Sequence, residues 1–222
     1  MAQLELSLRV RGEPVVHAKR MRFSEMHIGI RYGADARHKE TRRVVRALLA
    51  RGWEPLDFGM QPCFVQALLV SPCGKRVVKI ASKAPKPDTG NTDRYPEFAR
   101  WVWLNQGALQ SPHLPKFYAY REIGDIVVVC MERLTPAGSS NISESKRARR
   151  ISDQVDTIDG ICDRYDWTDA KRQFGQKFRR TFAAMSSALG FPTDLHSGNV
   201  MVRTGPRGGN PVLVLIDPYG YR

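Results

Sequence analysis

Asp194-Leu195-His196-Ser197-Gly198-Asn199 is followed directly by Val200-Met201-Val202. A Gly/Pro-rich turn comes next, then Val212-Leu213-Val214-Leu215-Ile216, which runs straight into Asp217. Two carboxylates and one carboxamide thus fall on loops beside short apolar strands. Asp and Asn are common in turns for local reasons, because their side chains bond the nearby backbone. The same three groups in this order are also the donor set of a phosphoryl-transfer site. One acid orients the attacking hydroxyl, and an Asn with a second acid holds magnesium on the phosphates.

The segment leading into this stretch reads as a helix from about Trp167 to Leu189. Phe174, Phe178, Phe182, Met185 and Leu189 recur at helical spacing, and Gly190 is the stop signal. The stripe is core packing. A buried helix is a firm mount for a reactive loop, because positional error costs rate.

Further upstream, Phe64-Val65-Gln66-Ala67-Leu68-Leu69-Val70 and Arg76-Val77-Val78-Lys79-Ile80 read as a hairpin turning at Ser71-Pro72-Cys73-Gly74. Alternation puts Val77, Lys79 and Ala81 on one face, Val78 and Ile80 on the other. A lysine on such a strand suits a solvent-facing or edge position. A polar loop over 82–93 leads to a helix expected from Tyr95 or Pro96 to about Gln106, with Gly107 after it. Tyr95, Phe98 and Val102 share its apolar face. Glu97 falls in its first turn, where an acid complements the helix dipole. A second hairpin follows, from Lys116-Phe117-Tyr118-Ala119-Tyr120 through Glu122-Ile123-Gly124-Asp125 to the apolar run 126–131. Thr135-Pro136 and a Gly/Ser stretch then mark a boundary.

At the other end, the first ten residues alternate weakly and suggest a strand, and residues 11–34 are irregular and basic. From Asp35, a candidate N-cap, to about Arg51 the pattern is helical, with Val44, Val45, Leu48 and Leu49 inward and Gly52 after it. Its other face carries Arg37, Lys39, Arg42, Arg43 and Arg46, either a solvated surface or a dock for an acidic partner. The whole chain of 222 residues has a formal net charge of +13, which favours nucleic acid, nucleotides or acidic protein surfaces. Hydrophobic content of 42% supports a true core and excludes global disorder. The polar segment 139–166, with Lys146-Arg147-Ala148-Arg149-Arg150, reads as an insertion. Its charge lacks the aromatic interleaving of a single-strand-binding surface. The four cysteines show no zinc spacing and read as reduced, although Cys63 and Cys73 could face each other across a hairpin. No secretory h-region is visible, and the longest apolar run is too short to span a bilayer, so a cytoplasmic protein without a membrane partner is expected.

The assembled order is a hairpin with Lys79, a helix, a second hairpin, a connector, a long helix, the Asp194 loop and a strand ending in Asp217. This order resembles the protein-kinase-like fold over roughly residues 55–222. The Asp194–Asn199 loop resembles the Asp-x-His-x-Gly-Asn loop of aminoglycoside phosphotransferases and related kinase-like proteins. A narrower resemblance is to the early protein kinases of T-seven-like short-tailed bacteriophages. It rests on Val77-Val78-Lys79-Ile80, Tyr95 with Phe98 and Arg100, Leu114-Pro115-Lys116, the residues from Asp194 to Met201, and Ile216-Asp217-Pro218.

The resemblance implies an α+β class: a minimal two-lobed protein-kinase-like fold with a truncated C-lobe. Residues 1–54 would be a basic extension, 55–134 the N-lobe and 135–222 a short C-lobe. It implies an ATP- and magnesium-dependent serine/threonine kinase acting on host proteins, including transcription or RNA-processing machinery, in the host bacterial cytoplasm. Asp194 would orient or deprotonate the acceptor hydroxyl. Lys79 would bind the ATP phosphates, with Glu97 as its ion-pair partner, and Asn199 and Asp217 would hold Mg2+. His196 and Ser197 would support the loop backbone. Two other readings accompany this one. Residues 59–64 carry a single glycine, and Pro62 removes a backbone donor from the expected phosphate loop. Pro218-Tyr219 follows Asp217, and no activation segment is expected in the short remainder. Those features suit a kinase-fold module that binds and inhibits a host protein through its basic surface. The Asp-x-His-x-Gly-Asn loop suits a small-molecule phosphotransferase.

Overall fold

The structure is a computed structural model that describes residues 36–56, 65–85, 90–136, 153–156, 158, 174–190, 194–205 and 209–219. The strand expected in the first ten residues, the Asp35 cap, residues 59–64, Cys63, the basic run 146–150 and the expected start of the long helix near Trp167 lie outside the described residues.

Helix α1 (Ala36–Leu49) is followed by strands β1 (Glu54–Pro55), β2 (Val65–Val70) and β3 (Arg76–Ser82). Helix α2 (Tyr95–Leu109) and the hairpin β4 (Phe117–Ile123), β5 (Ile126–Glu132) come next. Strand β6 (Thr135–Pro136), helix α3 (Gln176–Leu189) and the pair β7 (Val200–Gly205), β8 (Gly209–Leu215) complete the order. The class is α+β. The first five strands form an antiparallel sheet in the order β1-β2-β3-β5-β4, and β6-β7-β8 form a second sheet. Sheet membership changes between Glu132 and Thr135. Strand β6 turns away to pair with Val202 and Met201 of β7.

Period-two alternation in β3 explains how the layers pack. Val78 and Ile80 face α1, and with Leu69, Ile126, Val128 and Cys130 they bury Val44, Val45, Leu48 and Trp53. Burying one such aliphatic side chain is worth ~1.5–3 kcal/mol. The inward face of α1 thus braces the back of the first sheet. Its opposite face leaves Lys39, Arg42 and Arg43 exposed. Val77 and Ala81 face the other way, into a larger core shared with Phe98 and Val102 of α2, Phe178, Phe182 and Met185 of α3, and Val202 and Leu215 of the second sheet. Lys79 lies on this second face. Its register partners are Leu68 on β2 and Val129 on β5, so β3 is an interior strand and the edge position is excluded.

Two helix boundaries differ from the expectation. Helix α2 continues through Gly107 to Leu109 and ends on Gln110, which adopts a left-handed conformation at φ 42°. The added turn is held by Gln106. Its side-chain oxygen accepts from the Phe117 N–H at 3.0 Å, and its amide donates to the Phe117 carbonyl at 3.2 Å. These tertiary bonds outweigh the roughly 1 kcal/mol that a helical glycine costs. Helix α3 begins at Gln176, because Gly175 is its extended N-cap at φ −65°, ψ 161°. Phe174 precedes the helix but still stacks on Phe178, with ring centroids 4.3 Å apart. Cys73 is exposed and Cys130 is buried, and neither is in a disulfide. No helix among the described residues is long and apolar enough to cross a membrane.

Candidate active site

Strands β7 and β8 are antiparallel, with Val200 opposite Leu215. The residues just outside this register are Asn199 and Ile216, and the Ile216 N–H donates to the Asn199 carbonyl at 3.0 Å. One hairpin register therefore brings the Asp194 loop beside Asp217. A second tie runs from the Asp194 N–H to the Pro218 carbonyl at 3.2 Å. Leu195 plugs the loop into the large core.

The loop closes as a single 3-10 turn over Ser197–Asn199. His196 caps it, its Nδ1 accepting from the Gly198 N–H at 3.0 Å. A Cβ on Gly198 would stand 2.7 Å from the His196 ring, so a side chain there would push the capping imidazole out of place. The Asn199 amide donates to the Asp194 backbone carbonyl at 2.7 Å and to Asp194 Oδ2 at 2.8 Å. Asp194 Oδ1 remains for another donor, and this side chain is 44% exposed. The loop thus holds one carboxylate at a fixed angle while leaving half of it open. His196 Nε2 lies 3.7 Å from Asp194 Oδ1 and 2.9 Å from the Asn199 amide nitrogen, which suits the supporting role expected of His196.

Lys79 reaches this hairpin from the first sheet. Its Nζ donates to Asp217 Oδ2 at 2.6 Å, between residues 138 positions apart. Lys79 is only 6% exposed, whereas the Asp217 side chain keeps 22% of its surface open, so the pair is buried on the lysine side and partly exposed on the other. Burial raises the Asp217 carboxyl above its ordinary range, and the Asp194 charge raises it further, while Lys79 opposes both. Asp217 Oδ1 is buried and has no hydrogen-bond partner among the described residues. An orphaned carboxylate oxygen is costly unless something occupies it.

That oxygen is the observation that tests the site against a magnesium ion. Asp217 Oδ1 and the side-chain oxygen of Asn199 are hard donors on adjacent positions of one hairpin. Magnesium is commonly bound by one or two carboxylates plus substrate phosphates and water, so a large protein ligand set is unnecessary. The described residues contain no cluster of three or more His, Cys, Asp or Glu able to hold a metal. The donors present fit a magnesium–phosphate complex better than a metal held by protein alone.

Glu97 does not pair with Lys79. Its carboxylate lies 3.4 Å from Arg94 Nε, one helical turn away, and its side chain is 51% exposed. The arginine one turn away takes up the Glu97 carboxylate. Arg94 also donates to the Leu189 carbonyl at 2.5 Å and lies over the Tyr219 ring. Glu97 is therefore part of the tie between α2 and the end of α3.

Two residues meet Lys79 in a way that their sequence positions do not state. Tyr95 is fully buried, and the Lys79 ammonium lies 3.4 Å from its ring centroid. Asp93 is buried beside them and accepts from the Tyr95 N–H at 2.8 Å. Its pKa is pushed up to about 6, first by burial and then by the nearby Asp217, with the Tyr95 N–H and Lys79 opposing. A usable signal was present: an Asp shortly before a Pro in the first helical turn is a helix-start pattern. Tyr219 fills the remaining place. It packs on Phe98, and its hydroxyl donates to the Gly190 carbonyl at 3.0 Å, which fixes the backbone two residues beyond Asp217.

No family model matches the sequence, and no curated protein matches it. Among solved structures, an aminoglycoside phosphotransferase from Streptomyces rimosus shows similarity at 13% identity and a TM-score of 0.39. That match covers 83% of this chain and 78% of the other. The same enzyme in complex with ADP and streptomycin gives a TM-score of 0.37 at 13% identity, covering 81% of this chain and 77% of the other.

Proposed function

We propose that this chain transfers the γ-phosphoryl group of magnesium–ATP to the hydroxyl of serine or threonine in a protein. The Lys79–Asp217 ion pair beside the Asp194–Asn199 loop carries the reading. An ammonium, two carboxylates and a carboxamide from three segments of the chain converge there, and positioning plus charge stabilisation is most of what phosphoryl transfer requires.

The roles follow from the donors. Asp194 Oδ1, which Asn199 leaves unbound while it holds Oδ2 and which has only His196 Nε2 at 3.7 Å, accepts the proton of the acceptor hydroxyl. The acceptor oxygen forms a bond to the γ-phosphorus as the bond to the bridging oxygen breaks, and ADP leaves with that electron pair. Lys79 has two N–H groups beyond the one given to Asp217, and these bind phosphate oxygens. Asp217 Oδ1 and the Asn199 carboxamide oxygen would hold magnesium, which when bound neutralises charge on the transferring phosphates.

The protein acceptor follows from the resemblance to phage early kinases, which also suggests host proteins and action in the host cytoplasm. The exposed basic face of α1 supports an acidic protein or nucleic acid as a docking partner. One observation favours a second acceptor class: the His196-capped Asp-x-His-x-Gly-Asn turn resembles the loop of small-molecule phosphotransferases. Incubation with labelled ATP and either a bacterial lysate or an aminoglycoside panel separates the two. Label in serine or threonine of proteins, lost in Asp194→Ala, supports the protein acceptor. Label only in an aminoglycoside replaces it.

A further inference from the structure

Lys79 poses a problem that the other site residues leave open. Its ion-pair partner among the described residues, Asp217, is also the residue whose carboxylate would hold magnesium, and Asp93, the other acid whose charge it feels, is bound to the Tyr95 N–H. The acid expected to anchor the lysine, Glu97, points to Arg94. Something else must keep the ammonium in place when a divalent cation draws on Asp217.

We propose that Tyr95 is a positioning residue for Lys79, its ring face holding the ammonium where an acid on α2 would otherwise do so. The proposal rests on the phosphoryl-transfer reading of the site. The ammonium nitrogen lies 3.4 Å from the ring centroid, close enough for a cation–π interaction. Both partners are buried, so the contact is desolvated and at the stronger end of its range. A π face attracts the charge without taking up a directed N–H bond. The ammonium can therefore be held from one side while its remaining donors face phosphate. A second carboxylate would compete with phosphate for those donors.

The ring itself is well fixed. Tyr95 opens α2, its N–H is bound by Asp93, and Pro96 directly after it limits the backbone of the residue it follows. Phe98 packs against it at a centroid distance of 6.2 Å, and Phe98 in turn packs on Tyr219. The Tyr95 hydroxyl is buried with no hydrogen-bond partner among the described residues. The ring face, not the hydroxyl, therefore makes the contact with Lys79.

The test compares the wild type with Tyr95→Phe, Tyr95→Leu and a protein carrying pentafluorophenylalanine in place of Tyr95. The fluorinated ring keeps its shape but reverses the charge of its face, so it remains informative if the leucine variant does not fold. We expect Tyr95→Phe to bind magnesium–ATP within about twofold of wild type. The fluorinated and leucine variants lose about tenfold or more. Normal binding by the fluorinated protein, or equal loss in Tyr95→Phe, overturns the proposal. A readout without nucleotide runs alongside: the rate at which an amine-reactive reagent labels Lys79, followed by mass spectrometry. Labelling should be faster in the fluorinated protein than in Tyr95→Phe, and equal rates overturn the proposal. If wild type binds no nucleotide, the phosphoryl-transfer reading fails, while the labelling rates still decide the role of Tyr95.

Discussion

Replacing Asp93 with Asn should stabilise the protein at neutral pH and leave it unchanged under mild acid. Asp93 is buried, and its carboxyl is raised from 3.8 to about 6, with burial the largest cause and the Asp217 charge the second. Because the folded-state value lies above the unfolded one, the folded chain holds this proton more tightly. The stability gained from that proton is fully present below about pH 4 and is lost as pH rises through about 6. A shift of roughly two units corresponds to about 3 kcal/mol, an order-of-magnitude figure. Asn at this position can still accept from the Tyr95 N–H and carries no charge to bury. At pH 8 the variant should therefore melt higher, by roughly 2–4 °C per kcal/mol for a chain of this size, or about 6–12 °C in all. At pH 4 the melting temperatures should coincide. Thermal unfolding of both proteins across pH 4–8 measures this. A difference that does not change with pH, or a variant less stable at pH 8, would refute the view that an ionised Asp93 is held at a cost.

Further outcomes follow from other contacts. Glu97→Gln should leave magnesium–ATP affinity within about threefold of wild type, because a half-exposed ion pair contributes at most ~1 kcal/mol. Lys79→Met should abolish binding in the same titration. Gly198→Ala should retain the fold by circular dichroism yet lower phosphate transfer about 100-fold, since its Cβ displaces the His196 cap and shifts the Asp194–Asn199 turn. Arg203→Ala removes a fork that binds Glu132 and the carbonyls of Pro112 and Leu114. It should destabilise the protein by about 3 kcal/mol or more, read as a lower melting temperature.

The parts legible in the sequence were those governed by short-range period or adjacency. Alternation in β3 places Lys79 on the face of Val77 and Ala81, and that face is the one turned to α2 and Asp217. The spacing of Asp194 and Asn199 suits a turn closed by their own side chains, and the turn is closed that way. Ile216-Asp217 marks the end of an apolar strand, and β8 ends at Leu215. The parts that escaped depend on tertiary partners. Glu97 is drawn to Arg94 by a neighbour one turn away, and no pattern states which acid a distant lysine will meet. Tyr95 reads as one more apolar position of α2, and only the packed structure shows a cation above its ring. The α2 boundary moved because Gln106 finds the backbone of Phe117, a bond with no local trace.

Transfer of labelled phosphate from ATP into a bacterial lysate, by wild type and by Asp194→Ala in parallel, tests the central claim most directly. The account predicts label on serine or threonine with the wild type and none with the variant, both proteins folded and both stabilised by magnesium–ATP. Equal labelling by the variant, or a wild-type protein that neither binds magnesium–ATP nor transfers phosphate, would contradict it.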